Sequence, residues 1–362
     1  LSVEKAAQAA VRECLDAKPS ERALIILNHD SDLESISAAL FDVFQRAEVK
    51  VEKVIQSVRT HSEDISQEVM TAMKAEPDII ISLSRERLGR DPEGRLKPYI
   101  AGEKSYDHLL HYLISGKKVS RGFWSPGITK EIFSLGGNID YKVLREEASM
   151  IKKKLDHAVS VRLTSPGGTD ISFSIEGRKG FLDDGDFRTA GLGGNFPAGE
   201  SFVSPVVGTA QGVAVFDGSL ALGKGTEFCK NPVTARWTDG FLRSIEGKGT
   251  GEKLVQIIDQ TREKILQDLA QGLLSKETAD DYSKNTGNLG ELGIGLNPGA
   301  RLMATMLIDE KVRGTCHLAI GSNYDNDAFA PLHLDGVILR PTLELTYRES
   351  SEYLLIEGRP QW

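Results

Sequence analysis

Three short apolar runs, residues 23–27, 51–55 and 78–83, constrain the fold most, because each reads as a strand and helix-periodic sequence lies between the first two. There Leu33, Ile36, Leu40, Val43 and Phe44 recur at helical spacing, and Ser31 with Glu34 makes a capping box at the start. Strands joined by crossover helices pair in parallel and are covered by those helices. A polar, Arg-rich loop (85–95), a helical segment around His108 to Ile114 and the turn signal Ser125-Pro126-Gly127 follow. The expectation is an N-terminal layered α/β domain over residues 1–155 with a mainly parallel sheet.

At 362 residues the chain exceeds what one core usually serves, so a second domain is expected over 156–362. The texture there turns to β. Residues 159–164 and 170–175 flank Ser165-Pro166-Gly167-Gly168 as a hairpin-like pair. Leu254, Ile258, Ile265 and Leu269 mark one helix, and 272–287 reads as a polar connector with part of a helix hairpin. The reading is a mixed α+β domain.

Forty per cent hydrophobic and 27% charged residues describe a folded chain. A net charge of −8 argues against nucleic acid or an anionic membrane as partner, and Lys152-Lys153-Lys154 is too short to reverse that. Cys14, Cys229 and Cys316 form no CxxC pair, so neither a disulfide framework nor a cysteine zinc site is expected; a reducing, cytoplasmic compartment is. No apolar run approaches the ~18 residues of a membrane span, and the first residues lack a signal core.

The chemistry concentrates in the second half. His333 and Asp335 are two apart on a strand, so imidazole and carboxylate project from one face, with His317 as a third ligand. An H-x-D alone is common in strands. Glu291, in the glycine-punctuated apolar stretch Asn288 to Pro298, would be a buried acid in need of a partner. Glu200, after Gly199 and beside Phe202 and Val203, alone would read as a solvated loop acid. Together they give mixed N and O donors for one or two divalent ions, suited to zinc, cobalt, manganese or iron.

Asn195 to Pro205, Gly290 to Pro298, Asp309-Glu310-Lys311 through Gly321, and His333-Leu334-Asp335 resemble, in order, the aminopeptidase T family of metallopeptidases. Weaker similarity runs upstream through Gly168-Thr169-Asp170 to Pro126-Gly127-Ile128-Thr129. The resemblance implies a metal-dependent aminopeptidase, a homodimer with two divalent ions, zinc first and cobalt, manganese or magnesium as substitutes, acting on a peptide or small-molecule substrate. It places Glu200, Glu291, His317, His333 and Asp335 on ligand positions and Tyr324 at the site. Glu291 would bridge the ions or take the proton of the attacking water, and Tyr324 would stabilise an oxyanion or complete the ligand set. The segment from His317 to His333 is shorter here than in well-known members, and that from Glu200 to Glu291 longer.

A second branch of similar sequences resembles ring-opening dioxygenases of dihydroxypyridines, which hold one ferrous ion with two histidines and an aspartate. That branch has a histidine where Glu291 stands, so the expectation favours the hydrolase, with the oxygenase and a non-catalytic metal-binding relative as alternatives. Other signals are set aside. Gly218 to Lys224 resembles a P-loop, but Gly225 stands where Ser or Thr is required. His29 with Asp30 could line a sheet-edge crevice, while His61, His108, His111 and His157 lack ligand spacing. Cys316 should point away from His317, and Asp183-Asp184-Gly185-Asp186 reads as a solvated turn.

Overall fold

A computed structural model describes residues 2–60, 63–223 and 225–362. His61 and Lys224, considered above, lie outside the described residues. The chain divides into two compact units, Leu1–Arg145 with Asp183–Ala198, and Glu146–Leu182 with Gly199–Trp362. The architecture is mixed α/β, one parallel sheet and several antiparallel pairings.

In the first unit the three apolar runs become Arg22–Asn28, Lys50–Gln56 and Ile79–Ser84, paired in parallel. Every residue of Ile79–Ser84 is buried, as a central parallel strand covered on both faces requires. A fourth strand, Arg121–Pro126, pairs in parallel with Ile79–Ser84, and Gly193–Gly194 pairs with it in turn. The turn signal at Ser125-Pro126-Gly127 masked that strand. It marks the strand's end, where Gly127 takes a positive φ of 73°.

The helix Ser31–Arg46 buries Leu33, Ile36, Leu40, Val43 and Phe44 as its spacing predicts, but its cap is Asp30 rather than Ser31. Asp30 Oδ1 accepts from the N–H groups of Asp32 at 2.9 Å and Leu33 at 3.2 Å, two donors that a helix start otherwise leaves open. The acidic turn is likewise corrected. Asp183 and Asp184 are buried, because Asp183 Oδ1 accepts from the Asn195 N–H at 3.1 Å and Asp184 Oδ1 from that of Asp186 at 2.9 Å.

The second unit holds two sheets. One is eight-stranded and contains the expected hairpin as Ser160–Thr164 against Asp170–Ser174. The other is seven-stranded, in the order Thr226–Phe228, Ser219–Ala221, His333–Ile338, Cys316–Gly321, Leu289–Gly295, Glu200–Val203, Phe181–Asp183. Ser219–Ala221 and Thr226–Phe228 pair as antiparallel strands, so the P-loop-like run does not open a helix. The helix Thr250–Ala270 buries Leu254, Ile258 and Ile265, and Lys276–Asn285 supplies the helix of the polar connector, capped by Ser275. Among the described residues no helix is long and apolar enough to cross a membrane.

One close approach tests the first unit's sheet. A Cβ on Gly122 would lie 1.7 Å from the carbonyl oxygen of Ile80, a backbone atom that cannot rotate away. Gly122→Ala should therefore destabilise by about 1–3 kcal/mol or more. Urea unfolding reads this directly, and an unchanged midpoint would refute the strand pairing at that position.

Candidate metal centre

Four neighbouring strands of the seven-stranded sheet build the centre. In antiparallel pairs, opposed residues share a face. Glu291 lies opposite Ala319, which lies opposite Asp335. One step along, Phe202 lies opposite Gly293, and Gly293 opposite His317. Gly321 lies opposite His333. Glu200, Phe202, Glu291, His317, His333 and Asp335 therefore project from one face, while Leu292, Ile294, Cys316, Leu318 and Ile320 project from the other and are buried as core. Cys316 is directed as expected, and burial pushes its thiol well above the ordinary range.

The face has room because several positions lack bulk. A Cβ on Gly293 would meet the His317 ring at 1.9 Å, so the imidazole lies where a side chain would stand. A register shift between Leu289 and Glu291 inserts Gly290 as an extra residue and sets which side chains from here on face the site.

All five predicted ligands come together. Glu291, 4% exposed, is central: Oε1 is 3.0 Å from His317 Nε2 and Oε2 is 3.1 Å from His333 Nε2. His333 Nε2 is also 3.1 Å from Asp335 Oδ1, and His317 Nε2 is 3.6 Å from Glu200 Oε2. Two sets can each offer donor atoms within 4.8 Å of one another: Glu291 with His333 and Asp335, and Glu200 with Glu291 and His317.

The tautomer of His333 is informative. Its Nδ1 is 2.9 Å from the carbonyl oxygen of Ser322, which can only accept, so Nδ1 carries a hydrogen. In a neutral ring Nε2 is then a bare lone pair aimed at two carboxylates. That arrangement is repulsive unless a proton or a cation sits there, so the residues fit a divalent ion.

Without an ion the proton takes that place. Burial would lower both imidazoles, but the hydrogen bond and charge of Glu291 lift His317, and Asp335 followed by Glu291 lifts His333. Conversely burial would raise Glu291, and the two histidines hold it well below the carboxylate range.

Sequence reasoning assigned no role to Glu310 or Lys311, although both stand in a quoted motif. Lys311 is fully buried, its Nζ 2.8 Å from Glu200 Oε1 and 2.5 Å from Glu310 Oε1. Glu200 thus already faces a fixed positive charge. Burial raises Glu310, partly offset by Lys311. Tyr324 meets His333 edge-on at 5.4 Å between ring centroids. Its phenol is pushed well above its ordinary value, first by the desolvation its crowded surroundings impose and then by the charges of Glu291 and Asp335, so it remains a hydrogen-bond donor. Of the signals set aside, Asp30 is a helix cap paired with Arg85 at 2.8 Å, and His29 is exposed.

With the geometry in hand, comparison with known proteins decides the family. The sequence profile of the NicX family, 2,5-dihydroxypyridine 5,6-dioxygenase, matches residues 134–323, more than half of the chain. The chain belongs to this family. The matched span contains Glu200, Glu291 and His317 and ends before His333 and Asp335. A search of curated proteins finds no match.

Among solved structures, the 2,5-dihydroxypyridine dioxygenase of Pseudomonas putida KT2440 superposes with a TM-score of 0.71 at 16% identity, over 99% of this chain and 96% of that one. Wild-type AmpT, an aminopeptidase T, from Thermus thermophilus gives 0.65 at 14% identity, over 99% of both chains. At those identities the likeness establishes the shared fold. The NicX match overturns the expectation of a hydrolase, an aminopeptidase in particular, and nothing supports two zinc ions. The structure agrees in one respect: Glu200 was counted as negative charge for a second ion, and the Lys311 ammonium is already set against it at 2.8 Å.

An entering ion must displace the proton held by each imidazole that ligates it, His333, His317 or both. Apparent affinity for a divalent metal should rise from pH 6 to pH 8, with about one to two protons released per ion. Calorimetric titration in buffers of different ionisation enthalpy counts them; an affinity indifferent to pH would contradict the arrangement.

Proposed function

We propose that the protein is a ring-opening dioxygenase acting on a hydroxylated pyridine, with one ferrous ion held by Glu291, His333 and Asp335. The observation that carries this reading is the NicX match over residues 134–323. The cluster supports it, since mixed imidazole and carboxylate donors with positions left open suit non-haem iron. One imidazole with two carboxylates departs from the two-histidine pattern; His317, 3.0 Å from Glu291, is the second imidazole beside the set.

The bound metal would supply the redox-active centre at which ring and dioxygen meet. The chain's own residues do the rest. The Ser322 carbonyl fixes the His333 ring so that Nε2 faces the centre, as a hydrogen-bonded outer partner does for a ligating imidazole. His317 holds or yields a proton at Nε2 between Glu291 and Glu200. The Tyr324 phenol, kept protonated, can donate to an oxygen of a hydroxylated ring at the open side. The Lys311 ammonium stands against Glu200 while burial pushes Glu310 toward its uncharged form, which leaves the negative charge on the side of Glu291 and Asp335.

Chelator-treated protein reloaded anaerobically should bind about one equivalent of iron. On adding air and 2,5-dihydroxypyridine it should consume oxygen as the ring absorbance disappears. His333→Ala should reduce this by about 100-fold or more, since losing a ligand exceeds the roughly 10–100-fold cost of losing an outer-shell partner. An iron-loaded protein that consumes no oxygen with any hydroxypyridine would refute the reading.

A further inference from the structure

We propose that Phe181, Phe202 and Tyr324 form a stacking platform that receives the planar ring of the substrate beside the metal centre. This rests on the oxygenase reading and adds the residues that would recognise the ring. Phe181 and Phe202 stack with centroids 5.2 Å apart and planes 17° from parallel. Tyr324 closes the group, 5.0 Å from Phe202 and 6.0 Å from Phe181, and its other neighbour is His333. The aromatic group is therefore continuous with a proposed ligand.

The rings are not core. Tyr324 is 49% exposed, and Phe181 and Phe202 are only half-buried. A single exposed aromatic needs no explanation, but three in mutual contact, touching a cation site, form the kind of patch that binds a ligand. Phe202 owes its position to register, two residues after Glu200 on the site face and opposite Gly293, where the His317 ring takes the place of a side chain.

The platform is held firmly. The Tyr324 N–H donates to Ser204 Oγ at 3.2 Å. Arg178, 12% exposed at its side chain, donates from Nη2 to Asp327 Oδ2 at 2.7 Å and to the Pro205 carbonyl at 3.2 Å. Its Nη1 lies 3.7 Å from Asp325 Oδ1, and Asn323 Nδ2 donates to Asp327 Oδ1 at 2.6 Å. The loop bearing Tyr324 is thus tied to the segment after Phe202, so the rings are pre-arranged for a flat partner. Ring faces reward a second ring in offset or edge geometry, which an aliphatic side chain cannot reproduce.

The test uses zinc-loaded protein, which cannot turn over, and 2,5-dihydroxypyridine as the probe. Saturation-transfer NMR should register contact between probe and protein aromatic protons, and Phe202→Leu should weaken binding about two- to tenfold, the range that one lost aromatic pair gives. Tyr324→Leu should weaken it more than Tyr324→Phe, which keeps the ring and loses only the hydrogen bond of the phenol, with metal content and circular dichroism confirming intact protein. An absent aromatic contact, or two leucine variants that bind like the parent, would overturn the platform. Oxygen uptake by the iron-loaded protein is read separately: a probe that stacks without oxygen uptake sinks the oxygenase and keeps the platform, while uptake with an unaltered KM in Phe202→Leu does the reverse.

Discussion

Glu291 places a carboxylate in the middle of a buried strand, and the second unit is organised around making that tolerable. An ionised group taken out of water costs several kcal/mol unless its partners are in place. Here each oxygen faces an imidazole from a different element, His317 on the adjacent strand and His333 on the next. The compensation therefore exists only while three strands keep their register. A one-residue slip would turn Glu291 or His317 to the apolar side, where Leu292, Ile294 and Leu318 lie. The same electrostatic demand makes the face a cation site, since a metal and a proton compete for one position.

Much of this was legible in the sequence. The three apolar runs and the intervening helix gave the parallel sheet, and the period-two spacing of His333 and Asp335 placed both on one face. What stayed hidden was non-local. That Asp30 rather than Ser31 caps the first helix depends on which residue leaves helical geometry, and both residues satisfy the local pattern. That Asp183 and Asp184 are buried depends on Asn195 and on the chain folding back over them. Lys311 is the instructive case: a lysine beside two acids reads as a solvated charge, and only the fold reveals an ammonium buried among Glu200, Glu310 and the neighbouring strand ends.

That lysine also bears on why the reaction was misread. Counting acids along the chain gave an excess negative charge that called for a second ion. Counting charges in space sets the Lys311 ammonium against Glu200, with burial pushing Glu310 toward its uncharged form. The two readings weighed from sequence correspond to two proteins of the same fold, one superposing at 0.71 and the other at 0.65. At 16% and 14% identity that likeness carries the fold alone. Of the aromatic group Phe181, Phe202 and Tyr324, only Phe181 lies outside the stretches and residues that the resemblance singled out.

Gly293 has a consequence that reaches beyond this chain. It binds nothing, yet the ring of His317 occupies the volume its side chain would fill. In a saturation mutagenesis experiment such a position would be as unforgiving as a ligand, and a map of intolerance would draw the site's outline through residues with no functional group at all. A designer transplanting these carboxylates and imidazoles to another sheet would have to transplant the missing side chain as well.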